Sequence, residues 1–219
     1  MSMQGAIFDF DGTLVDSMHV WKEVLHDWLG LLDLEPVSDL YEQLSNMSFR
    51  GSASFLREFY SLSLSADDMI HQWEELARGE YQRVPVKEGV LPFLRLLSQR
   101  RIPCVIVTAC MRPLCEACME AHGLTGFFLD VLYADELKTD KTSPLIYLKA
   151  AERMNAAPEN CVVFEDLPTC APVVHQAGMT LVGIFDVNAQ ADWESFRSQA
   201  DYAVTNLMEL AASPSPLLD

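Results

Sequence analysis

Residues 5–17 read GAIFDFDGTLVDS, and no other stretch restricts the possible folds so closely. Ala6, Ile7 and Phe8 form a short apolar run with a glycine before it and an Asp-Phe-Asp-Gly turn after it. A run closed by breakers in this way predicts a buried strand ending in a tight loop. Asp9 and Asp11 stand two residues apart at the end of that strand, and Gly12 lets the chain turn sharply. Two carboxylates so close repel unless a cation neutralises them, so the spacing suggests a Mg²⁺ site. The same residues also suit an Asx-rich turn that caps the following helix.

Charge narrows the possible partners. Of 219 residues, 15 are Lys or Arg and 32 are Asp or Glu, a net charge of −17, which argues against nucleic acid and anionic membrane. An anionic substrate would need local help from a metal and a few placed cations. Residues 1–4 carry no secretory signal and no apolar stretch approaches a membrane span, so a soluble cytoplasmic protein is expected, as a monomer or weak dimer. The six cysteines are expected to be reduced thiols. Cys115 and Cys118 form a CxxC, but no second pair or nearby histidine supplies further zinc ligands.

After Ser17 the apolar period becomes helical, with Trp21, Val24, Leu25, Trp28 and Leu29 at three- and four-residue spacing. Further helices are predicted around 40–44, 55–59 and 66–81, with a break at 45–51, and no strand signal appears before Arg83. Residues 84–89 read as a linker. From Val90 onward helices, one of them at 169–177, alternate with short apolar strands at 104–108, 130–134, 161–164, 180–184 and 202–204. The pattern predicts an α/β fold: a Rossmann-like parallel core of residues 1–16 and 85–219, with an all-helical subdomain inserted at 17–84. The Ser-Pro repeat at 213–216 reads as a frayed tail.

In open α/β sheets, ligands bind beyond the carboxyl ends of the strands. The polar residues at those ends are Asp9, Asp11, Thr108, Glu165 and Asp166, with Lys138 and Lys141 after the strand that ends near Ala134. Carboxylates, a hydroxyl and a cation from four strands make the inventory for Mg²⁺-assisted phosphoryl transfer.

The same positions, in order, resemble the four motifs of the haloacid dehalogenase superfamily, in its phosphatase and β-phosphoglucomutase-like branch with a helical cap. Asp9-Phe10-Asp11-Gly12-Thr13-Leu14-Val15-Asp16-Ser17 resembles the first motif and Val105-Ile106-Val107-Thr108 the second. Lys141 stands in the third, ahead of Pro144, and Val163-Phe164-Glu165-Asp166 resembles the fourth. Leu167, Cys170 and Ala109 depart from the residues common there. The resemblance implies a Mg²⁺-dependent phosphatase acting on a small phosphorylated metabolite. Asp9 would be the nucleophile, Asp11 the general acid/base, and Thr108 and Lys141 would hold the phosphoryl group with help from the Ala109 backbone. Asp9, Asp166, the Asp11 backbone carbonyl and Glu165 would be the metal ligands. The alternatives are a sugar-phosphate mutase, which needs a second cationic phosphate site in the cap, and a non-catalytic phosphometabolite-binding regulator.

Specificity should then reside in the cap. The candidates are the first turn of its first helix, with His19 and Trp21, and the stretch at 47–51, where Arg50 is expected to meet a polar group of the leaving moiety.

Overall fold

The computed structural model describes residues 3–44, 47–139 and 141–212. The expectations for the first two residues, for positions 45 and 46 of the predicted break and for the tail at 213–216 lie outside the described residues.

Six strands form one parallel sheet: β1 (Gly5–Phe8), β2 (Cys104–Thr108), β3 (Asp130–Tyr133), β4 (Cys161–Glu165), β5 (Thr180–Ile184) and β6 (Tyr202–Val204). Their order is β3-β2-β1-β4-β5-β6. The chain thus winds outward in both directions from β1, and the strand order reverses beside the predicted Asp9 loop. Successive side chains of a strand face opposite sides, and the packing follows that alternation. Ala6, Phe8, Ile106, Val162 and Phe164 join one apolar cluster, while Ile7, Val105, Val107 and Val163 join the other. Phe8 and Phe164 stack at 4.5 Å between centroids, with Phe93 edge-on to both. Helices α7 (Pro144–Met154), α8 (Ala171–Gln176) and α9 (Trp193–Gln199) cover the second face. Helices α5 (Val90–Gln99), α6 (Arg112–Ala121) and α10 (Met208–Ala212) cover the first.

Between β1 and α5 stand four helices: α1 (Met18–Leu31), α2 (Leu40–Leu44), α3 (Phe49–Phe59) and α4 (Ala66–Tyr81). Trp28 of α1 meets Trp73 of α4 edge-on at 5.4 Å, and its Nε1 donates to Gln72 Oε1 at 2.7 Å. These helices share the apolar cluster of the first sheet face, so one continuous core joins them to the sheet. No helix among the described residues is long and apolar enough to cross a membrane.

Three local expectations are corrected. The stretch at 47–51 is not a connecting loop, because Ser48 caps α3 by accepting from Gly51 N, which makes Phe49 and Arg50 its first turn. The helix expected at 169–177 is instead a short 3₁₀ turn, Pro168–Cys170, followed by α8. The supposed linker is paired to the Asp9 loop: Val86 bridges Val15 antiparallel, Lys87 N donates to Leu14 O, and Asp16 N donates to Pro85 O.

Lys87, read from sequence as a linker residue, fastens that loop. Its Nζ donates to the Gly12 carbonyl, to Phe185 O at 2.9 Å and to Asp186 Oδ2 at 2.8 Å, joining the β1 and β5 ends. Burial alone would raise the Asp186 carboxyl, but Lys87 and Asn188 outweigh it and hold the group below its ordinary value. A depressed carboxyl stabilises the fold at pH above its unfolded-state value, and that contribution is lost as pH falls through the folded value. Lys87→Met should destabilise the protein by about 3 kcal/mol at neutral pH, the scale for breaking a buried pair. In thermal melts, the gap between wild type and variant should narrow below about pH 4.

Candidate active site

Register places the first pair of carboxylates. Phe8 lies opposite Phe164 in the parallel β1–β4 ladder, so Asp9 and Glu165 emerge side by side at the sheet end. Asp166 follows, and one oxygen from each of Asp9, Glu165 and Asp166 lies within 4.8 Å of the others. Asp166 Oδ1 accepts from Thr13 Oγ1 at 3.0 Å. Gly12 is required at this point. Its φ is 81°, and a Cβ there would lie 2.3 Å from Asp166 Oδ2.

Helix α7 brings the compensating cation. Pro144 opens the helix and Ser143 caps it, which anchors the segment just after Lys141. Lys141 Nζ lies 2.7 Å from Asp9 Oδ1 and 2.5 Å from Glu165 Oε1, and Tyr147 of α7 donates to the same Glu165 oxygen at 3.2 Å. Burial works against the Lys141 charge, but Asp9 and Glu165 outweigh it and hold its pKa well above the ordinary value. Lys138, the rival lysine, is exposed at a left-handed turn.

The three carboxylates fit a hard divalent cation. Glu165 Oε2 is buried with no hydrogen-bond partner among the described residues, and burial together with Asp9 and Glu165 raises Asp166 well above its ordinary value. An all-oxygen donor set of this kind suits Mg²⁺.

Asp11 stands apart from this cluster. Its carboxylate accepts from Ser17 Oγ and from Tyr81 Oη, the latter at 2.6 Å, and Tyr81 Oη in turn accepts from Trp21 Nε1 at 2.8 Å. Any part for Asp11 as a metal ligand is therefore left to its backbone carbonyl. Burial lifts its carboxyl above the ordinary value, and the Ser17 and Tyr81 donors offset only part of that rise. Two aspartates two residues apart thus occupy different electrostatic settings, one beside a lysine and one among neutral donors.

A cavity of about 190 Å³ opens over these groups, lined by Asp9, Asp11, Thr108, Ala109, Lys141 and Asp166. Thr108 is buried at the end of β2, where its Oγ1 accepts from Cys110 N at 2.9 Å. Trp21 also lines the cavity, but two other expected contacts are not made. His19 is exposed and absent from the lining, because α1 turns its neighbours Met18 and Trp21 inward instead. Arg50 points to Asp67 at 2.6 Å with most of its side chain in solvent, while Phe49 takes the cavity wall. All six cysteines are buried and free.

The sequence matches the description "haloacid dehalogenase-like hydrolase" over residues 3–178. The chain belongs to this family. Among its relatives is hexitol phosphatase A of Escherichia coli, 28% identical over 99% of this chain and 97% of that protein. A fructose-1-phosphate phosphatase of the same organism is 27% identical over 82% of this chain and 95% of the relative. The fold is shared with a β-phosphoglucomutase from Clostridium difficile, at a TM-score of 0.80 and 19% identity, over 95% of this chain and 93% of that one.

Tyr81 was not legible as a site residue, although a trace of it was present. Met69, Trp73, Ala77 and Tyr81 form the buried stripe of α4 at four-residue spacing, and a hydroxyl ending such a stripe requires a polar partner. Tyr81→Phe removes one donor to Asp11 and keeps the packing volume. Turnover should fall about tenfold with KM little changed, the scale of one lost hydrogen bond to a charged group. Steady-state kinetics of the purified variant will test this, and an unchanged kcat would leave Tyr81 a packing residue.

Proposed function

We propose that this protein is a Mg²⁺-dependent phosphatase that hydrolyses a small phosphorylated metabolite through a phospho-Asp9 intermediate, with residues 17–84 acting as its cap. The observation that carries this reading is the separation of the two aspartates. Asp9 lies beside Lys141 in the carboxylate cluster, whereas Asp11 is half-buried among neutral donors with a raised pKa.

Asp9 attacks phosphorus, so that a bond to the Asp9 oxygen forms as the ester P–O bond breaks. Asp11, protonated, gives its proton to the leaving oxygen, then takes one from the water that attacks the phosphoryl group and frees Asp9. Lys141 lowers the repulsion between an anionic nucleophile and an anionic phosphate, and Thr108 and the Ala109 backbone hold phosphoryl oxygens. Asp9, Glu165 and Asp166 would hold the metal, which when bound supplies further neutralisation of phosphate charge.

A sugar-phosphate mutase is the second reading. It requires a cation in the cap for a second phosphate, and Arg50, the candidate for that part, is paired with Asp67 away from the cavity. A phosphonate-cleaving activity would need a cap lysine, but Lys22 is exposed over the Tyr41 ring. A non-catalytic binder would have little use for both a nucleophile and an acid.

Hydrolysis of p-nitrophenyl phosphate should require Mg²⁺ and stop with EDTA. Asp9→Asn should lower kcat by about a thousandfold or more. A loss of only a few-fold in that variant would remove Asp9 as nucleophile.

A further inference from the structure

The cavity has two unlike halves. Its charge lies in the floor, at Asp9, Asp11, Asp166 and Lys141. The roof comes from the helical insertion, with Trp21, Val24 and Leu25 of α1, Phe49 and Leu56 of α3, and Trp73 of α4. Among the described residues, no charged side chain of segment 17–84 lines it. The cations of that segment lie elsewhere. Arg50 pairs with Asp67, Arg78 with Glu74 and Glu75, and Arg83 with Glu80, while Lys22 sits 4.8 Å from the Tyr41 ring centroid and Arg57 is exposed.

Polar groups in the roof are few among the described residues, and apart from Ser52 and the unpartnered indole N–H of Trp73 they are engaged. Tyr41, Ser48 and Ser52 carry its side-chain oxygens. Tyr41 Oη donates to Met18 O at 3.1 Å, and Ser48 Oγ accepts from Gly51 N at 3.2 Å. The indole N–H of Trp21 is committed to Tyr81. A polyol closed under this roof would exchange water for carbon at several hydroxyls, which disfavours it. A second phosphate under this roof would face no cation of the insertion among the described residues.

We infer that the substrate is the phosphate monoester of a compact, uncharged aromatic alcohol, a hydroxymethyl group on an aromatic or heteroaromatic ring. The inference rests on the phosphatase reading above. Three observations converge on this class. The roof is apolar and aromatic, with Trp21 and Phe49 rings 4.6 Å apart and tilted by 54°, the kind of wall against which another ring packs edge or face. The cavity measures about 190 Å³. An apolar cavity of about 150 Å³ accepts benzene, so a single ring with its phosphate is of the right size. Finally, the Asp11 side chain lies in the cavity floor, where the acid of the proposed reaction suits a poor leaving group, an alkoxide rather than a phenolate.

Benzyl phosphate and sorbitol 6-phosphate both release a primary alcohol, so a difference in their efficiency reads the roof and not intrinsic reactivity. With the Mg²⁺-loaded full chain, kcat/KM for benzyl phosphate should exceed that for sorbitol 6-phosphate and for glucose 1,6-bisphosphate by about tenfold or more. Phe49→Ser should reduce the benzyl-to-sorbitol ratio about tenfold. Acetyl phosphate, too small to need the roof, serves as the control substrate. If it is hydrolysed while the polyol or the bisphosphate matches benzyl phosphate, the aromatic assignment is overturned and the phosphatase reading stands. An unchanged ratio in Phe49→Ser also overturns the assignment. If no substrate turns over, acetyl phosphate included, the phosphatase reading fails and the inference falls with it.

Discussion

The architecture of this site depends on charge balance at the ends of two neighbouring strands. Asp9, Glu165 and Asp166 are almost wholly withdrawn from water, and three carboxylates in that position repel one another. The Lys141 ammonium bridges Asp9 and Glu165 and offsets part of this repulsion. The orphaned Glu165 oxygen marks where the remainder must be met. The surrounding features serve that arrangement: the β1–β4 register sets the carboxylates side by side, the capped start of α7 holds the lysine, and Gly12 leaves room for Asp166.

Much of this was legible in the sequence, for a physical reason. Parallel strands covered on both faces are written as short apolar runs, so β1, β2, β4 and β5 stand out against the amphipathic helices between them. Their polar terminal residues then fall on one edge of the sheet, which is why Asp9, Thr108, Lys141, Glu165 and Asp166 could be grouped without coordinates. The helical insertion was harder. Its amphipathic period reveals helices but not which neighbour each residue faces, and a one-residue difference in the start of α3 exchanges Phe49 for Arg50 at the cavity wall. Lys87 and Tyr81 escaped notice because their partners are 75 and 70 residues distant in the chain, and no local pattern encodes such a pairing.

The same division separates what this chain shares with its relatives from what is its own. The charged floor is built from the residues that resemble the family motifs. The roof follows no motif, so its apolar character can only be read from how α1, α3 and α4 pack. Two of its aromatic residues also belong to structural contacts: Trp21 bonds Tyr81 and Trp73 meets Trp28. Changing the shape of the roof therefore also disturbs the packing of the insertion.

The Trp21–Tyr81–Asp11 chain carries a thermodynamic corollary. The donors to Asp11 are Ser17, just ahead of α1, and Tyr81 of α4, which Trp21 of α1 holds in turn, whereas Asp11 itself belongs to the sheet loop. Proton affinity at Asp11 and the seating of those helices are therefore linked variables, and linkage is reciprocal. Whatever shifts the helices changes the proton affinity of Asp11 through both its burial and its donors, and a change of protonation at Asp11 acts back on the helices by the same free energy. One carboxylate thus ties the loop after β1 to the end of α4.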